Sequence, residues 1–596
     1  MEKTIVRRVV PGAGLPGAGL PGADSLEAGS WSEAALHPLL KRIYNARGLA
    51  RVEELDLGLA KLLLPKGLLN IQSAVLLLVD ALARKQKILI VGDFDADGAT
   101  STALAVAALR DMGATAVDFL VPNRFEFGYG LTPEIVALAA SNAKGKPDLI
   151  ITVDNGISSI DGVAAASAQG IATLVTDHHL AGDQLPDADV IINPNQPGCA
   201  FSSKNLAGVG VIFYVMLALR AELRTRNWFD LENLKEPNLA RYLDLVALGT
   251  VADVVPLDRN NRILVANGLQ RIRGGQARPG IMALLQVASK DHRQVVASDL
   301  GFAVGPRLNA AGRLEDMSIG IECLLCESDS QAAVYAKRLH QLNLDRRLIE
   351  QDMQQDALVA LEQVPLDGGA DTPVAMTLYE PGWHQGVIGI LASRIKDRIH
   401  RPTIAFADGD PGQIKGSARS IQGIHIRDIL DAVATRNPGL IDKFGGHAMA
   451  AGLTLSRDAY PRFAKAFVEE VARHVDDVNL QAVIESDGEL GIEHFDLDLA
   501  SQLRFAGPWG QHFPEPIFDG RFRLLHQRLV GEKHLKMVLT PAGSNTAIDA
   551  IAFNVDPLVW PNDAAEWVTI AYRLDINEFR GNRSLQLMVE HLAVSI

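Results

Sequence analysis

Ile88-Leu89-Ile90-Val91-Gly92-Asp93-Phe94-Asp95-Ala96-Asp97-Gly98 joins a β-branched apolar run to three carboxylates at alternate positions. The apolar run bounded by glycine reads as a buried strand. Alternation past its end lets at least two of the carboxylates point the same way, toward a common cation. Three further runs end alike: Leu149–Val153 before Asp154, Thr173–Thr176 before Asp177, and Val190–Ile192 before Asn193. Segments of helical character, Ala99–Met112, Pro133–Ala140 and Ile160–Ala168, separate most of them. This alternation predicts an open α/β fold with a parallel sheet, whose carboxyl strand ends face a ligand crevice.

The hexapeptide Asp93–Gly98 shares its D-x-D-x-D-G spacing with a calcium EF-hand loop, but that loop needs a glutamate at its twelfth position and flanking helices. Here the twelfth position is Leu104 and a strand precedes. A catalytic metal cluster needs more ligands than one loop supplies, and Asp154 and Asp177-His178-His179 stand at other strand ends of the same sheet. Adjacent histidines alone would read as a turn or a core pair; three acidic strand ends favour ligation. Carboxylates mixed with imidazole suit Mn²⁺, and Mg²⁺ is tolerated where oxygen dominates. Asp253 lies in the apolar stretch Ala247–Leu257, where a carboxylate costs free energy unless paired or bound to a cation.

The chain has 596 residues, too many for one core, and 48% of them are apolar. Residues 1–35 read as a flexible tail, because Pro11–Ala23 repeats Gly-Ala-Gly-Leu-Pro and has little to bury. A helical segment over 36–80 precedes the catalytic α/β unit, 81–325. Ser330–Gln363 lacks Gly and Pro and predicts a long connecting helix, within 326–365. A second α/β unit, 366–478, has its first strand at Val374–Leu378 and runs to about Val475. Over 479–596 the runs Arg521–Leu525, Leu535–Leu539, Ile548–Phe553 and Trp567–Tyr572 suggest a β-barrel, economically an OB-fold. Three cysteines cannot build a secreted disulfide framework, and no apolar run reaches the ~18 residues of a membrane span, so a reducing cytoplasm is expected. Cys323 and Cys326 stand one helical turn apart without a second pair to complete a zinc site, and read as helix packing. The net charge of −14 argues mildly against nucleic acid, yet metal-ligating carboxylates contribute to it and a narrow basic groove can coexist with an acidic exterior.

In their order, Asp93–Gly98, Asp154, Asp177-His178-His179 and Asp253 resemble the four motifs of the DHH phosphoesterase family. Pro122–Leu131, Gly305–Arg313 and Leu342–Glu350 resemble segments of its RecJ branch, and the resemblance covers roughly residues 35 to 596. It implies a nuclease taking nucleotides from the 5′ end of single-stranded DNA in recombination and repair, with two Mn²⁺ or Mg²⁺ ions. Two such ions about 4 Å apart activate a water and stabilise the leaving oxygen. Asp95, Asp97, Asp154, His178 and Asp253 would be ligands. Asp93, Asp177 and His179 would be ligands or would orient them.

Trp383–Gly389 with Arg394, Lys415–Ser420, and Gly445-Gly446-His447 resemble the DHHA1 substrate-binding domain. Glycines let backbone amides approach a phosphate while Arg394 and Arg419 pair with its oxygens, which makes His384, Ser417, Gly445, Gly446 and His447 candidate contacts. Arg307, Asn309 and Arg313 are candidates from the RecJ-like segment. In the barrel, Trp509, Lys533 and Lys536 offer a stacking surface and a basic track for a single strand. Pro508–Pro514 departs from the Pro-Phe-Gly-x-Gly-Asn-Pro common in that branch, which leaves the strand's path there open. Single-strand binding protein and a RecQ-type helicase are partners that the resemblance implies. The alternatives are a DHH phosphodiesterase of cyclic dinucleotides or short RNA, and a catalytically silent DNA-binding scaffold.

Overall fold

The computed structural model describes residues 3–9, 36–123, 130–141, 145–361, 373–475, 480–531, 533–579 and 581–595. The first sheet is parallel throughout, in the order Val117–Leu120, Ile88–Gly92, Leu149–Val153, Ala172–Thr176, Val190–Ile192. Four of these strands match the expected runs. Val117–Leu120 has no counterpart among them, because Asp118 interrupts its apolar pattern at the sheet's edge. Register pairs Gly92 with Val153, Val153 with Thr176 and Thr176 with Ile192. The polar residues that follow therefore emerge along one carboxyl edge.

Helix Ala96–Asp111 starts inside the acidic loop, capped by Asp95, whose Oδ1 accepts from the amides of Asp97 and Gly98 at 2.9 and 3.0 Å. Its Ala, Gly, Ser and Thr side chains are small enough for it to be buried on nearly all sides, against Gly208–Thr225 and Leu243–Ala252. The apolar stretch from Leu206 to Leu219 lies mostly in the first of these core helices. No single helix among the described residues is long and apolar enough to cross a membrane. Ahead of the sheet stand helices Pro38–Ala46 and Ile71–Ala83.

The long helix Asp329–Leu361 leads to the second unit; the last residues expected in it lie outside the described residues. That unit's sheet runs Lys443–Gly446, Ala450–Ser456, Gln413–Arg419, Thr403–Asp408, Met376–Tyr379, antiparallel except for the last pair. Its first strand begins at Met376, two residues later than the apolar run suggests. The C-terminal unit is a closed barrel in the order Phe518–Val530, His534–Pro541, Ile548–Ala552, Asn582–Val594, Trp567–Phe579.

The expectation of a flexible tail over residues 1–35 needs correction at its start. Thr4–Arg7 forms a strand parallel to Val483–Ser486. Arg7 pairs with Asp519 at 2.7 Å and Arg8 with the buried Asp487 at 3.1 Å, while Arg47 pairs with the same Asp487 at 2.7 Å. Both the ladder and the ion pairs of Arg7 and Arg8 come from residues hundreds of positions away, which local composition does not register. Pro11–Ala23 lies outside the described residues.

Candidate metal centre and anion cleft

Three overlapping sets of side chains gather at the carboxyl edge of the first sheet: Asp93, Asp95 and Asp154; Asp154, His178 and His179; Asp97, His178 and Asp253. Within each set the potential ligand atoms lie within 4.8 Å of one another. Asp154 belongs to the first two and His178 to the last two, so the sets form one continuous cluster. Helix Leu243–Ala252 delivers Asp253 at its C-terminal end, opposite the sheet. Asp154 has φ +62°, a left-handed conformation that aspartate tolerates better than most residues. Gly208 packs so closely that a Cβ there would stand 2.6 Å from Asp154 Cβ. Asp97 is held in turn by the amides of Gly208 and Val209, at 2.6 and 3.0 Å.

The chemistry of this donor set fits divalent cations. His178 Nε2 lies 3.1 Å from Asp154 Oδ1 and 3.5 Å from Asp253 Oδ2. His178 Nε2 and Asp253 Oδ2 are buried without a hydrogen-bond partner among the described residues, a costly arrangement that a cation would relieve. Burial, then repulsion from Asp253, pushes Asp97 up to about 7. Burial, then repulsion from Asp95, pushes Asp253 up to about 7, and Asp154 is raised well above the usual range by burial and its acidic neighbours. Burial and the neighbouring His179 lower His178.

Asp97 and Asp253 therefore bind protons more tightly folded than unfolded, where 3.8 is the reference value. Between these limits the folded metal-free chain holds more protons, so these groups make stability fall as pH rises from about 4 to about 7. A bound cation replaces those protons. The Mn²⁺-induced rise in melting temperature is accordingly expected to be larger at pH 8 than at pH 6, and thermal melts at both values check it.

Asp177, expected as a ligand, belongs to none of the three sets. Its Oδ2 accepts from the Ile157 amide at 2.9 Å. Its Oδ1 accepts from the amides of His178 at 2.7 Å and His179 at 3.1 Å, and meets His179 Nδ1 at 2.7 Å. Those four contacts engage both carboxylate oxygens in holding the loop and the His179 ring. Burial opposes the charge, but the His179 bond and charge outweigh it and hold Asp177 down at about 2. The same bond holds His179 up at about 9 against the effect of burial. Asp177 thus orients the His179 ring, so that Nε2 is the nitrogen a metal would take.

Beside the cluster, Arg313, Gly386, Gly389, Lys415, Ser417 and Arg419 line a cleft between the catalytic and second units. Arg313 Nη1 donates to Gly386 O at 3.1 Å, and Arg419 Nη1 to Ser417 Oγ at 3.1 Å. A Cβ on Gly389 would stand 2.8 Å from Arg419 Nη2, so only glycine lets this arginine lie against the start of helix Ile388–Ile399. Two guanidinium groups and an ammonium group beside a helix N-terminus suit an anion. The His447 ring stacks on His179, with centroids 5.5 Å apart and planes 17° from parallel, which brings the second unit to the metal cluster. Gly446, at φ +142°, allows the hairpin there: a Cβ would meet Ala450 O at 2.4 Å. Gly445 precedes it on the same strand. His384 shapes its own loop, its Nδ1 accepting from the Gly386 amide at 3.0 Å.

Four expected substrate contacts are otherwise engaged. Arg307 is buried, donating to His340 and the Ala303 carbonyl. Asn309 Oδ1 accepts from the Ala96 amide at 2.7 Å and so fixes the acidic loop. Arg394 is set on Glu350 of the long helix at 2.8 Å, outside the cleft lining. Trp509 is buried: its Nε1 donates to Leu503 O at 2.8 Å and its ring stacks on Phe513 and Tyr44, at 5.2 and 6.1 Å. Its neighbourhood joins the barrel unit to the N-terminal helix, and that contact is invisible in the sequence. Trp509→Ala is expected to cost about 3–5 kcal/mol of stability and leave substrate KM unchanged, as denaturant titration beside steady-state kinetics would show. Lys536 pairs with Asp549 at 3.4 Å and Lys533 is exposed on the barrel. Sequence reasoning missed the supporting residues Gly208, Gly249, Gly312 and Asn155. Asn155 Nδ2 donates to Val91 O and Val153 O at 3.1 and 2.9 Å, tying two strand ends together.

The model of the DHH family, N-terminal domain, matches residues 87–250, the DHHA1 domain residues 371–473, and the RecJ OB domain residues 486–591. Fold and site together define the class, a DHH-type phosphoesterase extended by a DHHA1 unit and an OB barrel. The chain is 58% identical to the single-stranded-DNA-specific exonuclease RecJ of Dickeya dadantii, over 94% of this chain and 96% of that one. It is 55% identical to the protein of the same description from Escherichia coli strain K12, over 94% and 96%. The crystal structure of RecJ in complex with Mn²⁺ from Thermus thermophilus superposes with a TM-score of 0.75 at 29% identity, covering 94% of this chain and 76% of that one. The Mg²⁺ complex from the same organism gives 0.70 at 27%, over 94% and 74%. The chain belongs to the RecJ family.

Proposed function

We propose that the chain is a metal-dependent 5′-to-3′ exonuclease that degrades single-stranded DNA to mononucleotides. The carrying observation is the juxtaposition of the overlapping ligand sets with a cationic cleft, linked by the His179–His447 stack. Asp93, Asp95, Asp97, Asp154, His178, His179 and Asp253 would hold Mn²⁺ or Mg²⁺. When bound, these cations supply an activated water and stabilisation of the leaving oxygen. Asp177 keeps His179 in orientation, and Asn309 keeps the acidic loop in place. Arg313, Lys415, Ser417 and Arg419 bind the terminal phosphate, which sets the chain end beside the cluster. The barrel favours a polymer over a dinucleotide, since it adds surface that a small substrate has no use for. The setting that goes with this reading is recombination and repair in the cytoplasm, on strands supplied with single-strand binding protein and a RecQ-type helicase.

The test is Mn²⁺-dependent digestion of a DNA oligonucleotide labelled separately at each end, beside the matching RNA and a blunt duplex. Early mononucleotide from the 5′ label, with duplex spared, is expected. Activity confined to di- to tetranucleotides would instead make the chain a small-substrate phosphodiesterase.

A further inference from the structure

Phe302 is 79% exposed, the most exposed aromatic among the large hydrophobic side chains of the described residues. It lies in the π-helical segment Leu300–Val304, which runs straight into helix Gly305–Leu314. Such widened turns are uncommon and gather at functional sites. The two glycines around it bring the segment against the end of the helix that delivers Asp253. A Cβ on Gly301 would stand 3.2 Å from Val251 Cγ1, and one on Gly305 3.2 Å from Ala252 Cβ. The following helix grips the acidic loop through Asn309 and Gly312. The backbone that carries Phe302 is thereby fixed between the end of the Asp253 helix and the helix that holds the acidic loop.

Other exposed apolar side chains sit next to site residues. Leu180, 59% exposed, follows His179; Val254, 62% exposed, follows Asp253; Met449, 49% exposed, is two residues beyond His447. These positions belong to three different parts of the fold, and each stands within two residues of a residue of the site. A strand whose phosphate lies at the cluster carries its neighbouring bases within a few ångströms of it, and every base has a face that stacks without regard to sequence.

We propose that Phe302 is a base-stacking residue of the single-strand path, holding the nucleobase next to the phosphate at the metal cluster. This rests on the nuclease reading above. Because Phe302 is exposed, its replacement leaves the core intact. The experiment compares wild type, Phe302→Ala and Phe302→Trp on an ordinary oligonucleotide and on one whose first few 5′ nucleotides lack bases. Expected are a roughly tenfold rise in KM for Phe302→Ala on the ordinary strand, recovery in Phe302→Trp, and near-identical KM for all three on the abasic strand. An unchanged KM in Phe302→Ala would overturn the proposal and point to a protein partner for this surface. A deficit equally large on the abasic strand would overturn it in favour of a structural role. Absence of hydrolysis by the wild type itself would instead remove the nuclease reading on which the proposal rests.

Discussion

Asp154→Asn is expected to lower Mn²⁺-dependent hydrolysis by about 10³-fold or more while the chain remains folded. Asp154 is common to two of the three ligand sets, so its loss weakens both at once. Metal stabilisation of developing charge is worth several kcal/mol, and each 1.36 kcal/mol is about tenfold in rate. Asparagine is nearly isosteric and tolerates the left-handed conformation at φ +62°, so the backbone need not move. Removal of a carboxylate from a crowded acidic cluster is also expected to leave the metal-free protein at least as stable as wild type. Rates, a Mn²⁺ titration and metal-free melts made on one preparation check all three statements. Undiminished hydrolysis would sink the assignment of Asp154. Asp97 is a poorer target, because it also accepts the Gly208 and Val209 amides and its truncation would orphan both.

Gly312→Ala is expected to reduce turnover by about 10²-fold without touching a ligand. A Cβ at this position would stand 1.9 Å from the Phe94 carbonyl oxygen, in the middle of the acidic loop. The contact is to backbone, which cannot rotate away, so the loop must shift by more than an ångström, enough for a loss of this size. Alanine favours helix over glycine, which offsets part of the strain in a melt. The signature is therefore weakened Mn²⁺ binding and slow turnover in a protein that still unfolds cooperatively. Wild-type Mn²⁺ affinity in this variant would show that the loop is set by its own sequence alone.

Much of the site was legible because strand ends carry local signatures. A β-branched run followed by an acidic residue occurs at Asp93, Asp154 and Asp177, and parallel pairing then dictates that all three emerge on one edge. Asp253 was legible for the opposite reason, as a charge where apolar residues predominate. Division of labour within the cluster was not. Asp177 and Asp154 both follow strands, and only their hydrogen bonds separate the group that orients a histidine from the one that faces the ligand sets. Likewise Arg307 and Arg419 are both arginines in glycine-rich segments. One is buried against His340 and the other lines the cleft, a difference set by helix packing.

By itself, the sequence determined the parallel sheet, the candidate ligands, the long helix and the barrel, since each is written in a period or motif a few residues long. Tertiary structure alone decided what depends on distant partners. It joined Thr4–Arg7 to Val483–Ser486, buried Trp509 against Tyr44, seated Gly312 under the Phe94 carbonyl and stacked His447 on His179. The physical reason is range: hydrophobic period and turn chemistry act within a dozen residues, whereas packing and ion pairing couple groups hundreds of positions apart, and no local pattern encodes which will meet.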